Sequence, residues 1–279
     1  MVILKNSMKL IRERVIMVLL FSFFTTNVSS QDNIDFLRTV KQYQDSVKFV
    51  LPWRTPPIID TTTFNINTYL RIFNKLKLPS GLKCQYTYRY DAPSGTPLLY
   101  VVKDSFDLES YLNREYREYI KQRNIDTTTF TPKNTKFFKQ LFVFYGFAYQ
   151  NSVKKFILPE DSEAGYLQYL YFNQFGEEFA TNWYPYSVIF SNDELKRLYK
   201  FYLNDKHFTY DNEKFKELLN LNPSPIIEMG KNSCLITWYE IMTNNGIFKR
   251  TYEISRSIPY TVVKKESVKI LDIYDDRIY

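Results

Sequence analysis

The last fifty residues alternate, and that alternation leaves the chain few ways to fold. Four runs, "PIIEM" (225–229), "SCLITWYEIM" (233–242), "IFKRTYEIS" (247–255) and "YTVVKKESVKIL" (260–271), are rich in β-branched and aromatic residues and separated by short turn-forming connectors. Such a series reads as an antiparallel meander. Asn245–Gly246 supplies the pair that tolerates positive φ in a two-residue type I′ turn. With that turn, Asn244 pairs with Ile247, Trp238 faces Glu253 and Glu240 faces Thr251. One face then collects Cys234, Ile236, Trp238, Glu240 and Met242 with Lys249, Thr251 and Glu253. The other collects Leu235, Thr237, Tyr239 and Ile241 with Phe248, Arg250, Tyr252 and Ile254. The second set is mostly apolar and is the expected core face.

Helical spacing dominates upstream. "IDFLRTVKQYQDSVKFV" places Phe36, Leu37, Val40, Tyr43, Val47 and Val50 on one side, with Pro52, Pro56 and Pro57 beyond it. A short helix is expected over Thr68–Lys77, then a hairpin from "LKCQYTYRYD" and "TPLLYVVKD", then a helix in "DLESYLNREYREYIKQRN". "KQLFVFYGFAYQ" (139–150) reads as a strand. The segment "YFNQFGEEFATNWYPYSVIF" (171–190) reads as a hairpin with its turn at Gly176, leaving Glu177 and Glu178 at the tip. "SNDE" (191–194) is a capping box that opens a helix, and another follows Asp211. "IDTTTF" occurs at 59–64 and again at 125–130, an echo more simply taken as chance in a Thr-rich chain. The expected fold is α+β: antiparallel sheets with helices packed on one face and a C-terminal β-meander.

The N-terminus carries Lys5, Lys9, Arg12 and Arg14, then the apolar run "VIMVLLFSFF", then Val28 and Ser30 at the small-residue positions before a cleavage point. This is the pattern of a signal peptide over 1–30. Ten apolar residues are too few for a membrane span of about 20. The expectation is an exported protein, periplasmic or extracellular. Residues 31–279 would form one domain, with a candidate subdivision near 155 and no transmembrane helix.

Removing 1–30 takes away four basic residues and one acid, so the net charge of +7 falls to +4. Residues 31–155 hold 19 Lys/Arg and 11 Asp/Glu, and residues 156–279 hold 14 and 18. A basic half can meet an anionic surface, but two halves of complementary charge can equally pack together. Nucleic acid is not an expected partner. Cys84 and Cys234 are the only cysteines, and in an oxidising compartment the pair is read as a disulfide. Two cysteines and one histidine do not make a zinc shell.

No P-loop, dinucleotide, HExxH or GxSxG motif is present, and His207 is the one histidine. No metal and no cofactor is expected. Carboxylate chemistry needs neither histidine nor cysteine. Glu240 and Glu253, as diagonal neighbours roughly 7–8 Å apart beside Trp238, have the separation of a glycosidase pair. The competing reading makes that face a binding surface with Trp238 stacking on a ligand, and Trp183 and Tyr184, beside Pro185, form a second candidate binding patch. The leading expectation is a non-enzymatic binding or structural module contacting a glycan, an envelope component or another protein. A carboxylate-dependent, glycosidase-like hydrolase is the alternative.

Overall fold

Strands β8 (Ser233–Met242) and β9 (Gly246–Ser255) form the expected hairpin, but the turn is three residues long. Met242 pairs with Gly246, which places Trp238 opposite Arg250 and Glu240 opposite Phe248. The register therefore differs by three from that of a two-residue turn. An odd shift exchanges which sets share a face. Cys234, Ile236 and Trp238 now lie with Tyr252 and Ile254, and all five are buried. The physical reason is burial: the shorter turn would have split these apolar groups between the two faces. The β8 residues expected to meet solvent are in the core, together with Tyr252 and Ile254 of β9, while Lys249, Thr251 and Glu253 lie on the other face.

The computed structural model describes residues 31–46, 64–88, 97–128, 145–176, 186–242 and 245–276. Within these, α1 (31–46) is followed by α2 (Ile66–Ile72), β1 (Leu76–Lys77), β2 (Leu82–Tyr88), β3 (Pro97–Lys103) and α3 (Leu108–Arg123). Then come α4 (Tyr145–Gln150), β4 (Leu158–Pro159), α5 (Glu163–Tyr171), β5 (Tyr186–Ile189) and α6 (Asn192–Asn204). Strand β6 (Phe208–Tyr210), α7 (Asn212–Leu218) and β7 (Ile226–Met229) lead to β8 and β9, with β10 (Val262–Leu271) and β11 (Ile273–Asp275) at the end. The chain is α+β, and β8–β9–β10 are a C-terminal antiparallel meander.

The five-stranded sheet runs β10–β9–β8–β5, and β7 shares the outer edge of β8 with β5. Strand β7 covers Cys234–Thr237 and β5 covers Tyr239–Met242. The main core forms where Leu37 and Val40 of α1, Tyr69 of α2 and Tyr166, Leu167 and Leu170 of α5 meet Ile236, Trp238 and Tyr252. A second cluster gathers Leu195 and Tyr202 of α6 and Phe215 of α7 around Ile241, Ile247 and Leu271. Strand β3 is buried on both sides: Leu99 and Val101 join the main core, while Leu98, Tyr100 and Val102 pack with Ala148.

Three segments differ from expectation: the helix expected over Thr68–Lys77 covers only Ile66–Ile72, and Leu76–Lys77 form β1. Residues 166–173, read as the first strand of the hairpin at Gly176, belong to α5 and to the π-helical turn at Phe172–Gly176 that continues it. Residues 145–150, taken for a strand, form α4; 139–144 lie outside the described residues. Helix α5 buries seven consecutive residues from Gly165 to Tyr171. A helix buried all round has no polar face, so its sequence shows no period and looks like a core strand. Ser162 caps it by accepting from Gly165 N at 3.1 Å. The connector around His207 also contains β6, which pairs with β11.

The expected disulfide is not formed: Cys84 and Cys234 are not bonded to each other. Cys84 lies on the separate β2–β3 hairpin and Cys234 on β8, each with its Sγ turned to the next carbonyl of its own strand, at 3.7 and 4.0 Å. Burial pushes the Cys234 thiol up to about 11.

Gly246 has φ +117, and a Cβ placed there would lie 1.8 Å from the carbonyl oxygen of Leu271. Gly246→Ala is therefore strained in the backbone and blocked by β10. It should lower unfolding stability by roughly 2–4 kcal/mol in urea titration. An unchanged midpoint would contradict this register.

Candidate functional site

The register decides the fate of the two glutamates first. Glu240 is fully buried, whereas Glu253 lies on the opposite face with a third of its side chain exposed. They are not diagonal neighbours, which corrects the arrangement expected for a glycosidase pair. Glu253 pairs with Lys265 at 2.6 Å, and that contact holds its carboxyl below the usual range.

Glu240 is the centre of a closed network. Its Oε1 accepts from Trp238 Nε1 and from Tyr252 OH, both at 2.7 Å. Its Oε2 accepts from Arg250 Nη1. Arg250 also donates from Nε to Ser267 Oγ at 3.3 Å, and its guanidinium lies 5.0 Å from the centre of the Phe248 ring. Burial, then the neighbouring Glu240 charge, keeps the Tyr252 phenol protonated far above its ordinary range. Three donors converge on the carboxylate, and Glu240 has no exposed surface through which a substrate could reach it. Trp238 has no exposed surface and cannot act as a stacking platform. Trp183 and Tyr184 lie outside the described residues, as do Glu177 and Glu178.

A different place gathers polar groups that are not used up. Helix α1, the end of α2 with the loop after it, and the start of α5 enclose a cleft of about 450 Å³. Helix α1 presents Asp32, Asn33, Asp35, Phe36 and Thr39; α2 and its loop present Arg71, Ile72, Asn74 and Lys75; α5 presents Ala164 and Gln168. The spacing 32, 35–36, 39 is one helical face, adjacent to the buried stripe Leu37–Val40. The size falls in the range of small-molecule sites, about 300–1,000 Å³.

Gln168 makes the floor rigid. Its Oε1 accepts from Lys75 N at 2.9 Å and its Nε2 donates to Asn74 Oδ1 at 3.1 Å, which clamps the loop to α5. Lys75 reaches Glu160 at 3.2 Å and lowers that carboxyl's pKa. On the opposite wall Asp35 Oδ1 takes both Gln31 at 3.1 Å and Arg38 at 2.5 Å.

Against these engaged groups stand several that have no partner among the described residues. Asn33 is only 6% exposed, lines the cleft, and makes no side-chain hydrogen bond. Asp32 and Arg71 line the same cleft and form no ion pair. The amide keeps its bonding capacity toward the cleft, where water or a ligand can take it up.

The sequence reading passed over Asn33. The available signal was its position: four residues before Leu37, at the head of the apolar stripe, where the helical pattern otherwise asks for an apolar residue.

A smaller cleft beside it, about 250 Å³, is lined by Arg38, Lys41, Glu194 and Arg197 among others. There Lys41 from α1 pairs with the buried Glu194, which also accepts from Arg197 at 3.3 Å and from Phe190 N at 3.3 Å. The capping box thus forms as expected, with Ser191 accepting from Glu194 N, but Glu194 reaches back one residue beyond the cap. These charges are matched, and they fasten α1 to α6.

Comparison with protein-family models, with curated proteins and with solved structures finds no match. No described helix is long and apolar enough to cross a membrane.

Removing Glu240 leaves the Arg250 charge buried without its partner. Glu240→Ala should therefore cost roughly 3–5 kcal/mol, whereas Glu253→Gln should cost under about 1 kcal/mol. Urea unfolding of the two variants checks this, and equal effects would contradict the assignment of the two faces.

Proposed function

We propose that the protein is a non-enzymatic binding module, working outside the cytoplasm, that takes a small polar ligand into the α1–α2–α5 cleft. The observation that carries this reading is Asn33: a nearly buried amide facing a cleft, with donor and acceptor both unspent. A ligand in the cleft can take up those bonds in place of water. Arg71 and Asp32, unpaired in the same cleft, offer further contacts of defined sign. Export is supported by the basic and apolar pattern of residues 1–30. The expected contact with an envelope component is retained in a narrower form, as capture of a small soluble piece of such material. A hydrolase built on Glu240 and Glu253 is not proposed, because their carboxylates do not share a face.

A binding residue and a structural residue respond differently to loss of polarity. Asn33→Leu removes an amide that makes no hydrogen bond within the fold, so it should leave unfolding stability unchanged within about 0.5 kcal/mol or raise it. Gln168→Leu removes an amide whose oxygen and nitrogen are both engaged, and should lower stability by a similar or larger amount. Urea midpoints of both variants check this. If Asn33→Leu proves as destabilising as Gln168→Leu, Asn33 has a structural partner and the cleft loses its main support.

A further inference from the structure

The charges lining the cleft are sorted by wall. Both acids, Asp32 and Asp35, come from α1; both cations, Arg71 and Lys75, come from the end of α2 and the loop that follows. Each wall also carries an amide, Asn33 on the acidic side and Asn74 on the basic side. The two walls do not neutralise each other: no ion pair joins Arg71 or Lys75 to Asp32 or Asp35. Lys75 is directed instead to Glu160, and Arg38, outside the lining, takes Asp35 Oδ1. That leaves Asp32, the second oxygen of Asp35 and the Arg71 guanidinium unpaired across one space.

A cleft of this kind has no net lining charge but a strong internal polarity. A simple anion would meet Arg71 favourably and the α1 acids unfavourably, and a simple cation would meet the reverse. A neutral sugar would satisfy the amides and leave both charges solvated. The ligand that complements both walls carries one charge of each sign at opposite ends. On the binding reading above, we infer that the cleft takes a small zwitterion, a free amino acid or dipeptide. Its carboxylate lies on Arg71, its ammonium lies on Asp32 and Asp35, and its polar middle meets Asn33. Arg71 suits the carboxylate because its planar guanidinium can bind both oxygens at once. Phe36 and Ile72 supply the apolar contact a side chain or methylene would need.

The test follows the Asn33 side-chain amide in the nitrogen–proton spectrum of the purified protein, assigned by its loss in Asn33→Leu. The probes are L-alanyl-L-alanine, a mixture of free L-amino acids, the dipeptide acetylated at its amine, the dipeptide amidated at its carboxylate, maltose and galacturonic acid. The dipeptide or the amino acids should shift the Asn33 signal, and blocking either end should weaken binding about tenfold or more, the scale of one lost charge-assisted hydrogen bond. Arg71→Gln should erase the penalty for amidation, and the double variant Asp32→Asn, Asp35→Asn the penalty for acetylation. All three side chains are exposed, so the fold should survive these changes.

If maltose or galacturonic acid shifts Asn33 and the zwitterions do not, the cleft remains a binding site and the zwitterion assignment is wrong. Doubly charged and end-blocked dipeptides binding equally would also overturn it. If no probe moves the Asn33 signal, the binding reading falls together with the assignment.

Discussion

The three-residue turn between β8 and β9 is the constraint from which the other features follow. It sets Arg250 opposite Trp238 and brings Tyr252 beside them, so that one carboxylate, Glu240, can accept from all three. An unpaired carboxylate at that depth would carry a desolvation penalty of several kcal/mol. Here the guanidinium and two neutral donors offset it, and the surrounding face becomes the wall against which helices pack. Helices α1 and α5 reach that wall through Leu37, Val40, Tyr166, Leu167 and Leu170. The cleft exists because these two helices, held on a common core, leave a gap at their N-terminal ends that the loop after α2 borders without filling.

The network and the cleft make a useful contrast in how polar groups are used. Around Glu240 each strong donor finds an acceptor, water is excluded, and the arrangement fixes one register and one face. Such a network favours uniqueness of the fold over reactivity. In the cleft the engaged groups, Gln168 and Lys75, position the loop, while Asn33, Asp32 and Arg71 keep their bonding capacity. A chain under selection for stability alone would place an apolar residue at 33, as it does at 37 and 40. The asparagine there marks a local rule broken on the side of a solvent-filled space.

Much of the fold was legible in the sequence. The meander strands, the capping box at Ser191, the helix capped by Asp107 and the β2–β3 pairing all carry local signals that the tertiary structure reinforces. What escaped was decided by packing. Helix α5 is buried on every side from Gly165 to Tyr171, so periodicity could not separate it from a strand. The turn at Asn245–Gly246 was identified, but its length was fixed by which register buries Trp238, Ile236 and Tyr252 together. That one difference moved Glu240 from an apparent solvent face into the core and removed the pairing with Glu253. The cleft was out of reach for another reason: its residues come from three separated segments, and only Asn33 breaks a local pattern.

The central claim is that the face bearing Trp238 and Glu240 is the core, and hydrogen exchange at the Trp238 indole tests it most directly. With the indole N–H bonded to Glu240 and fully buried, its exchange should require global unfolding and follow the slowest backbone amides as urea is raised. Exchange at the rate of a solvated indole would turn that face outward, undo the register and return the two glutamates to a shared surface.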